Sequence, residues 1–327
     1  MNSLGRCGAV VIGRNEGERL RLCLKSVACR IKTIVYVDSG STDNSVEIAG
    51  DIGAEVVALD MSSPFTAARA RNVGFRRLQQ IQPGCELVHF VDGDCELVAS
   101  WLDRAVGFLD SHLSVAAVCG RRREKFPERS IYNWLCDIEW DTPIGETKAC
   151  GGDVLVRAAA FEQVGCYRAE MIAGEEPELC VRLRSAGWQI WRLDAEMSLH
   201  DAAMTHIGQW WRRAQRGGYA FAQGAYLHGQ PPERHWVWES RRAWIWGVWL
   251  PLACLASGLI FGPWAWAVWL IYPLQMLRQT LRNSGPPRQK AVLAFFQVVS
   301  RFPEGVGEIK FVIDRLLRRQ RGLIEYK

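Results

Sequence analysis

The sequence predicts an α/β protein built on a mostly parallel central sheet and followed by membrane-associated helices. Three observations predict it. Short apolar, β-branched runs alternate with amphipathic segments through the first 120 residues. Two of those runs break into acidic signatures, Asp38-Ser39-Gly40-Ser41-Thr42-Asp43 and Asp92-Gly93-Asp94. Farther on, residues 243–277 carry no charged side chain.

Residues 8–12 form the first strand and break into Gly13-Arg14-Asn15-Glu16-Gly17, after which 18–28 read as a helix. Thr33-Ile34-Val35-Tyr36-Val37 is β-branched and aromatic, and the Gly, Ser and Asp beyond it turn the chain into a helix over 43–52. A strand at 55–59 and a helix at 67–80 repeat the pattern. Leu87-Val88-His89-Phe90-Val91 is the fourth strand, leaving Asp92 and Asp94 at its carboxyl end, where Gly93 permits a tight backbone. In open α/β sheets ligands collect at that edge. A helix at 99–111 and a strand at 116–119 follow, and between 121 and 150 the rhythm loosens into inserted loops with a short helix at 131–139.

Side chains alternate along an extended backbone, so Asp-x-Asp at a strand end directs two carboxylates to one side. One ligates a divalent cation, Mn²⁺ or Mg²⁺, while the other takes a ribose hydroxyl or a metal-bound water. Such hard cations share oxygen ligands with substrate phosphates, so one or two carboxylates suffice.

At 327 residues the chain holds one large α/β domain with an appendage, or two modest domains. Its eleven cysteines show neither Cys-x-x-Cys nor a zinc-site spacing, the usage of reduced, buried thiols in a cytosolic domain. No basic-apolar-small leader precedes the first strand, so export is not expected. The net charge of +5 is uneven: residues 278–327 hold eleven Lys or Arg against four Asp or Glu, next to Arg241 and Arg242. Beside a long apolar stretch, that excess points to anionic lipid headgroups. No nucleic-acid partner is expected, because the soluble part has neither a recognition motif nor interleaved aromatic and basic residues. A dinucleotide oxidoreductase is excluded by Gly13-Arg14-Asn15-Glu16-Gly17, which is no glycine-rich phosphate loop.

The uncharged stretch exceeds the roughly 20 residues of one spanning helix and falls short of two spans with a turn. Pro251, Gly258, Gly262, Pro263 and Pro273 interrupt it, and basic residues at both ends place both ends in the cytoplasm. A short or re-entrant hairpin over 243–277, turning near Gly262-Pro263, satisfies both constraints. Eight of the fifteen tryptophans fall between Trp236 and Trp269, as an interfacial location favours. Basic amphipathic helices are expected over 288–321, so the chain is divided into a catalytic domain at 1–235 and a membrane-associated region at 236–327.

Six elements in register then resemble a known family: Gly13-Arg14-Asn15-Glu16-Gly17; Asp38 to Ser45; Ala70-Arg71-Asn72-Val73-Gly74; Asp92-Gly93-Asp94; Gly151-Gly152 ahead of Val154-Leu155-Val156-Arg157; and Gly174-Glu175-Glu176-Pro177-Glu178 leading into a helix over 177–186. Over about residues 7–225 the chain resembles the inverting glycosyltransferases of family 2, with the GT-A (nucleotide-diphospho-sugar transferase) fold.

The resemblance implies that Asp38 accepts a hydrogen bond from the nucleotide base, that Arg71 lies near base and diphosphate, and that Arg14, Asn15 and Glu16 line the same pocket. The plainer roles of these residues are a turn aspartate, a helix-surface arginine and a helix cap. It further implies that Asp92 meets the ribose or a metal-bound water, that Asp94 ligates the metal, and that His200 stands where some GT-A enzymes carry a metal-binding histidine. Glu176 occupies the position of the general base, usually Asp in the family, with Glu175 as the alternative; both also suit a helix start. Gly151, Gly152, Gln209, Arg212 and Arg213 are assigned to the acceptor or the diphosphate. Gln209-Trp210-Trp211-Arg212-Arg213 is similar to the Gln-x-x-Arg-Trp element of processive synthases, but Arg213 replaces the final Trp.

The implied function is transfer of a single sugar from a nucleotide-diphosphate sugar to a glycan or lipid-linked acceptor, at the cytoplasmic face of the inner membrane. The alternatives are a processive polysaccharide synthase and an inactive GT-A scaffold or nucleotide sensor.

Overall fold

The structure is a computed structural model that describes residues 3–319. It divides into two units, Met1–Thr205 and His206–Lys327.

The first unit opens with β1 (Cys7–Gly13), α1 (Glu18–Ala28), β2 (Thr33–Asp38), α2 (Ser45–Asp51), β3 (Glu55–Ala58), α3 (Ala67–Ile81) and β4 (Leu87–Asp92). These follow the expected alternation, and β3-β2-β1-β4 form one parallel block. Its strands are apolar on both faces because helices cover both. α3 lies close on the sheet because Gly74 has no side chain: a Cβ there would collide with Val10 and come 2.9 Å from Val37. That close approach sets Arg71, one turn earlier, over the carboxyl end of the block.

Then come β5 (Cys95–Leu97), α4 (Trp101–Ser111), β6 (Val115–Glu124), α5 (Ile131–Glu139), β7 (Gly145–Glu146), β8 (Val154–Arg157), α6 (Ala158–Gln163), α7 (Glu175–Ser185) and β9 (Gln189–His200). β8 joins β4 to β6 antiparallel on both sides, β6 and β9 run parallel, and β5 and β7 add to β9 antiparallel. The sheet is thus mixed, with most paired residues in parallel ladders. β6 runs five residues past the expected end at 119, through Arg121, Arg122 and Arg123, because β9 offers it a partner as far as His200. The strand β9 carries the alternation of a half-buried element, with Leu193, Ala195 and Met197 buried between exposed Asp194 and Glu196. Nine of the eleven cysteines are buried and all eleven are free thiols.

The second unit contains α8 (Ile207–His228), α9 (Val237–Trp244), α10 (Leu250–Phe261), α11 (Ile271–Arg282), α12 (Pro287–Val299) and α13 (Arg301–Leu316). The division at Thr205 precedes the expected boundary at 235 because α8 lies on α13. Gly218 meets the backbone of Glu304, and Gly307 meets the backbone of Gln215, so no side chain separates the two helices there.

α9 continues through a π-helical turn, Ile245–Trp249, into α10. The continuous helix Val237–Phe261 is long and apolar enough to cross a membrane. It ends where the sequence places the turn, at Gly262 with φ of 85°, followed by the 3₁₀ segment Pro263–Leu270. The chain then folds back: the Trp266 ring covers Gly258, and Tyr272 donates to the Trp246 carbonyl at 2.7 Å. Residues 320 and 321 of the expected basic segment lie outside the described residues.

Candidate active site

Three loops at the carboxyl ends of β1, β2 and β4 build the site. Asn15 holds the first two together: in the left-handed conformation, φ 56°, its Oδ1 accepts from Thr42 N at 2.7 Å while its own N–H donates to Ser41 Oγ at 2.9 Å. Asp38 is 6% exposed and accepts from Gly40 N and Ser41 N at 3.0 and 2.9 Å through Oδ2, and from Tyr36 Oη at 3.1 Å through Oδ1. The loop after β2 is therefore fixed before any ligand arrives. Glu16 pairs with Arg19 at 2.7 Å, and Arg14 is exposed.

Arg71 is the centre of the second group. At 2% side-chain exposure it holds Asp92 Oδ1 at 2.7 Å through Nη2, and Glu175 Oε1 and Glu176 Oε1 at 2.9 and 2.7 Å through Nη1. Its neighbour Asn72 fixes the floor, donating to the Tyr167 carbonyl at 2.7 Å and accepting from Tyr167 N at 3.0 Å. Gly152 faces the same group. A Cβ at that position would stand 2.7 Å from Arg71 Nη2, 2.8 Å from Asp92 Oδ2 and 3.2 Å from Glu176 Oε1, so only glycine fits without displacing one of them. α7 starts at Glu175, two residues ahead of the expected 177, from a left-handed Gly174 with φ of 78°.

Three carboxylates around one guanidinium cannot all ionise at equal cost. Burial works against the charge on Asp92, but Arg71 and then Arg122 hold its carboxyl well below the usual range. Glu176 goes the other way: burial and then the Glu175 charge push it up to about 7, against the pull of Arg71. One carboxylate is thereby kept ionised and another is poised near neutrality, the separation that assigns acid and base roles in enzyme sites.

Asp94 and His200 form a third group. His200 Nε2 is 3.1 Å from Asp94 Oδ2, and the Cys95 thiol donates to Asp94 Oδ1 at 3.6 Å. Burial, and then the Arg122 charge, lower the His200 pKa to about 4, so the ring is neutral near pH 7. Its Nδ1 is buried without a hydrogen-bond partner. β4 ends at Asp92 and the chain turns at Gly93, whose N–H donates to the Ile12 carbonyl at 2.8 Å, so strand alternation does not reach Asp94. Asp94 groups with Cys95 and His200, whereas Asp92 groups with Cys95 and Asp153.

Arg122 and Asp153 are additions that the sequence reading passed over. Asp153 is fully buried, accepts from Ser198 Oγ at 2.6 Å and from Asp92 N at 3.2 Å, and pairs with Arg122 Nε at 3.3 Å. Arg122 Nη2 lies 4.0 Å from Asp92 Oδ2 and is buried with no hydrogen-bond partner, and the guanidinium stacks over Trp140. The visible signal was an aspartate between Gly151-Gly152 and an apolar strand.

Of the residues expected at the site, Arg71, Asp92, Glu175, Glu176 and Gly152 are in mutual contact, with Gly151 3.7 Å from Arg122 Nη2 as measured from a Cβ built there. Gln209, Arg212 and Arg213 belong to the second unit. Gln209 closes a capping box there, accepting from His206 N at 3.0 Å.

Comparison with known proteins bears on this arrangement. Residues 9–150 match the family model for glycosyl transferase family 2. Glycosyltransferase AglE of Haloferax volcanii is 24% identical over 322 residues, covering 91% of this chain and 93% of that protein. Among solved structures, the mannosyltransferase PcManGT from Pyrobaculum calidifontis, in complex with GDP-Man and Mn²⁺, aligns with a TM-score of 0.65 at 19% identity, covering 95% of this chain and 88% of that one. TarS 1–349 of S. aureus, in complex with UDP-GlcNAc, aligns at 0.51 and 15% identity, covering 91% and 92%. These structural likenesses establish the GT-A fold. The family match spans residues 9–150, including the loops that hold Asp38, Arg71, Asp92 and Asp94, so the first unit carries a glycosyl transferase family 2 domain.

Proposed function

We propose that this enzyme moves one sugar from a nucleotide-diphosphate donor to an acceptor hydroxyl with inversion at the anomeric carbon, using Glu176 as general base. The observation that carries the reading is the Arg71 cluster, in which Glu176 stands 2.7 Å from Arg71 Nη1 with its pKa raised to about 7. A base needs a pKa near the working pH to be both unprotonated and able to take a proton. Glu176 retains 14% side-chain exposure, more than Glu175 at 3%, so it is the one an acceptor hydroxyl reaches. In this reading Glu176 takes the proton as the acceptor oxygen attacks, and Arg71 holds it in place. Asp38, with Arg14, Asn15 and Glu16 beside it, meets the base and Asp92 meets the ribose.

A divalent cation, Mn²⁺ or Mg²⁺, belongs with Asp94 and His200. The fit rests on the neutral imidazole, whose Nε2 stands 3.1 Å from Asp94 Oδ2, so that one nitrogen and one oxygen donor face each other. Cys95 lends only a thiol hydrogen bond, since burial pushes its pKa well up. When bound, the ion neutralises charge on the departing diphosphate. Arg71 and Arg122 add fixed positive charge on the protein side.

The long apolar helix and its tryptophans support attachment at the cytoplasmic face of the inner membrane, and with it a lipid-linked acceptor. The test is a pair of variants. Asp94→Asn is expected to weaken cation-dependent donor binding, and Glu176→Gln to leave binding intact while abolishing transfer. Equal loss of donor binding in both sinks this division of roles.

A further inference from the structure

A cavity in the helical unit lies at the base of the apolar hairpin, lined by Arg242, Trp246, Gln275, Gln279, Gln297 and Arg301. Its polar groups are donors in excess. Arg242 Nε is buried with no hydrogen-bond partner. Arg301 uses Nε on the Gln297 carbonyl at 3.2 Å and Nη1 on Glu304 at 2.5 Å, and Gln297 Oε1 accepts from Asn283 at 3.2 Å, which leaves the Gln297 amide N–H₂ to donate. Burial lowers the pKa of Arg301; Glu304 opposes that and the like charge of Arg242 adds to it. Glu304 answers Arg301, but the Arg242 Nε–H and the amides beside it leave the cavity with more donors than the one carboxylate takes up.

The walls say which kind of anion. On α11, Gln275 and Gln279 are one turn apart and line the cavity, while Leu274, Leu277 and Leu281 are 63%, 56% and 73% exposed. On the other side, Trp246 lines the cavity and Trp249 and Leu252, farther along the same helix, are 60% and 52% exposed. A polar anion site framed by uncovered apolar side chains fits an amphiphile, with its phosphate against the arginines and its chains along the leucines.

We propose that this cavity binds the phosphate headgroup of an anionic membrane lipid, at a site separate from the sugar-transfer cluster. It requires nothing of the donor chemistry proposed above and stands or falls apart from it.

The test is native mass spectrometry of the full-length protein in detergent, with phosphatidylglycerol, phosphatidylcholine or inorganic phosphate added, for wild type, Arg242→Gln and Gln279→Glu. Loss of one charge-assisted contact weakens binding by about tenfold or more. Wild type is expected to retain one phosphatidylglycerol, with phosphatidylcholine weaker and inorganic phosphate not retained, and both variants to lose it by that factor. Circular dichroism and the melting temperature check that the variants fold; where one does not, the other decides. Equal retention by a folded variant, or no preference between the two lipids, overturns the proposal. Retention of inorganic phosphate as strong as that of the lipid overturns its lipid part.

Discussion

In the proposed mechanism one side chain, Glu176, carries the proton transfer. With its pKa at about 7, the unprotonated base is lost as pH falls below that value, so kcat/KM is expected to drop about tenfold per unit below pH 7. A pH–rate profile checks this, and Glu176→Gln should lower kcat by about 10² or more with the donor KM unchanged. The same shift has a stability sign. The folded protein binds this proton more tightly than the unfolded chain, whose carboxyl titrates near 4.3. Stability from that proton is present at low pH and is lost as pH rises toward 7. Glu176→Gln is therefore expected to melt higher than wild type at pH 8 and no higher at pH 4. Gly152 makes a complementary prediction: Gly152→Ala places a Cβ against Arg71, Asp92 and Glu176, and transfer should fall by more than about tenfold. Arg71→Ala strands Glu175 without its counter-charge in a buried site and leaves Asp92 with Arg122 alone, 4.0 Å away, a loss of about 3–5 kcal/mol in chemical denaturation.

At the scale of elements, two close approaches without side chains organise the molecule. Gly74 lets α3 settle on β1 and β2, and Gly218 and Gly307 let α8 and α13 meet backbone to backbone. A side chain at Gly218 would press on the Glu304 backbone, which cannot swing away, so Gly218→Val is expected to cost about 1–3 kcal/mol. Thermal unfolding followed by helical circular dichroism measures it.

The parallel block was legible because its strands are buried on both faces and its loops are punctuated by Gly and Asp; α1 and α5 match their expected limits residue for residue. β8 and β9 were not laid out as strands. β8 has only four residues, and β9 buries Arg192 as its fourth residue, its guanidinium bonded to the neighbouring Leu193 carbonyl, so the polar spelling hides the element. For the same reason Arg122 and Asp153 went unread. What unites them is the pairing of β6, β8 and β9 far apart in the chain, which no local pattern announces. Asp38, Asp92 and Glu176 were legible as candidates because each sits at a strand end or helix start, Asp94 because it follows in the turn at Gly93, and Arg71 because it lies one turn before Gly74.

On the scale of the whole molecule, a GT-A unit is joined to a helical unit with a 25-residue apolar helix. The proposed membrane attachment rests on exposed side chains such as Leu259 at 79% and Phe261 at 76%, which have little reason to face water. The protein is expected to stay with the membrane fraction through a high-salt wash. Leu255→Glu together with Leu259→Glu should release it to the soluble fraction, since a charge at the centre of a bilayer-buried helix costs about 2.5–3.5 kcal/mol. Retention of the double variant would mean that the basic surface, rather than the apolar helix, makes the attachment. Sugar transfer from a cation-held nucleotide remains the claim on which the other roles depend. It is tested most directly by calorimetric titration of the detergent-purified protein with GDP- and UDP-sugars, in Mn²⁺ and then in EDTA, for wild type and Asp94→Asn. One nucleotide class should bind in Mn²⁺ and be lost both in EDTA and in the variant. Binding of equal strength in EDTA, or none at all by folded wild-type protein, would contradict it.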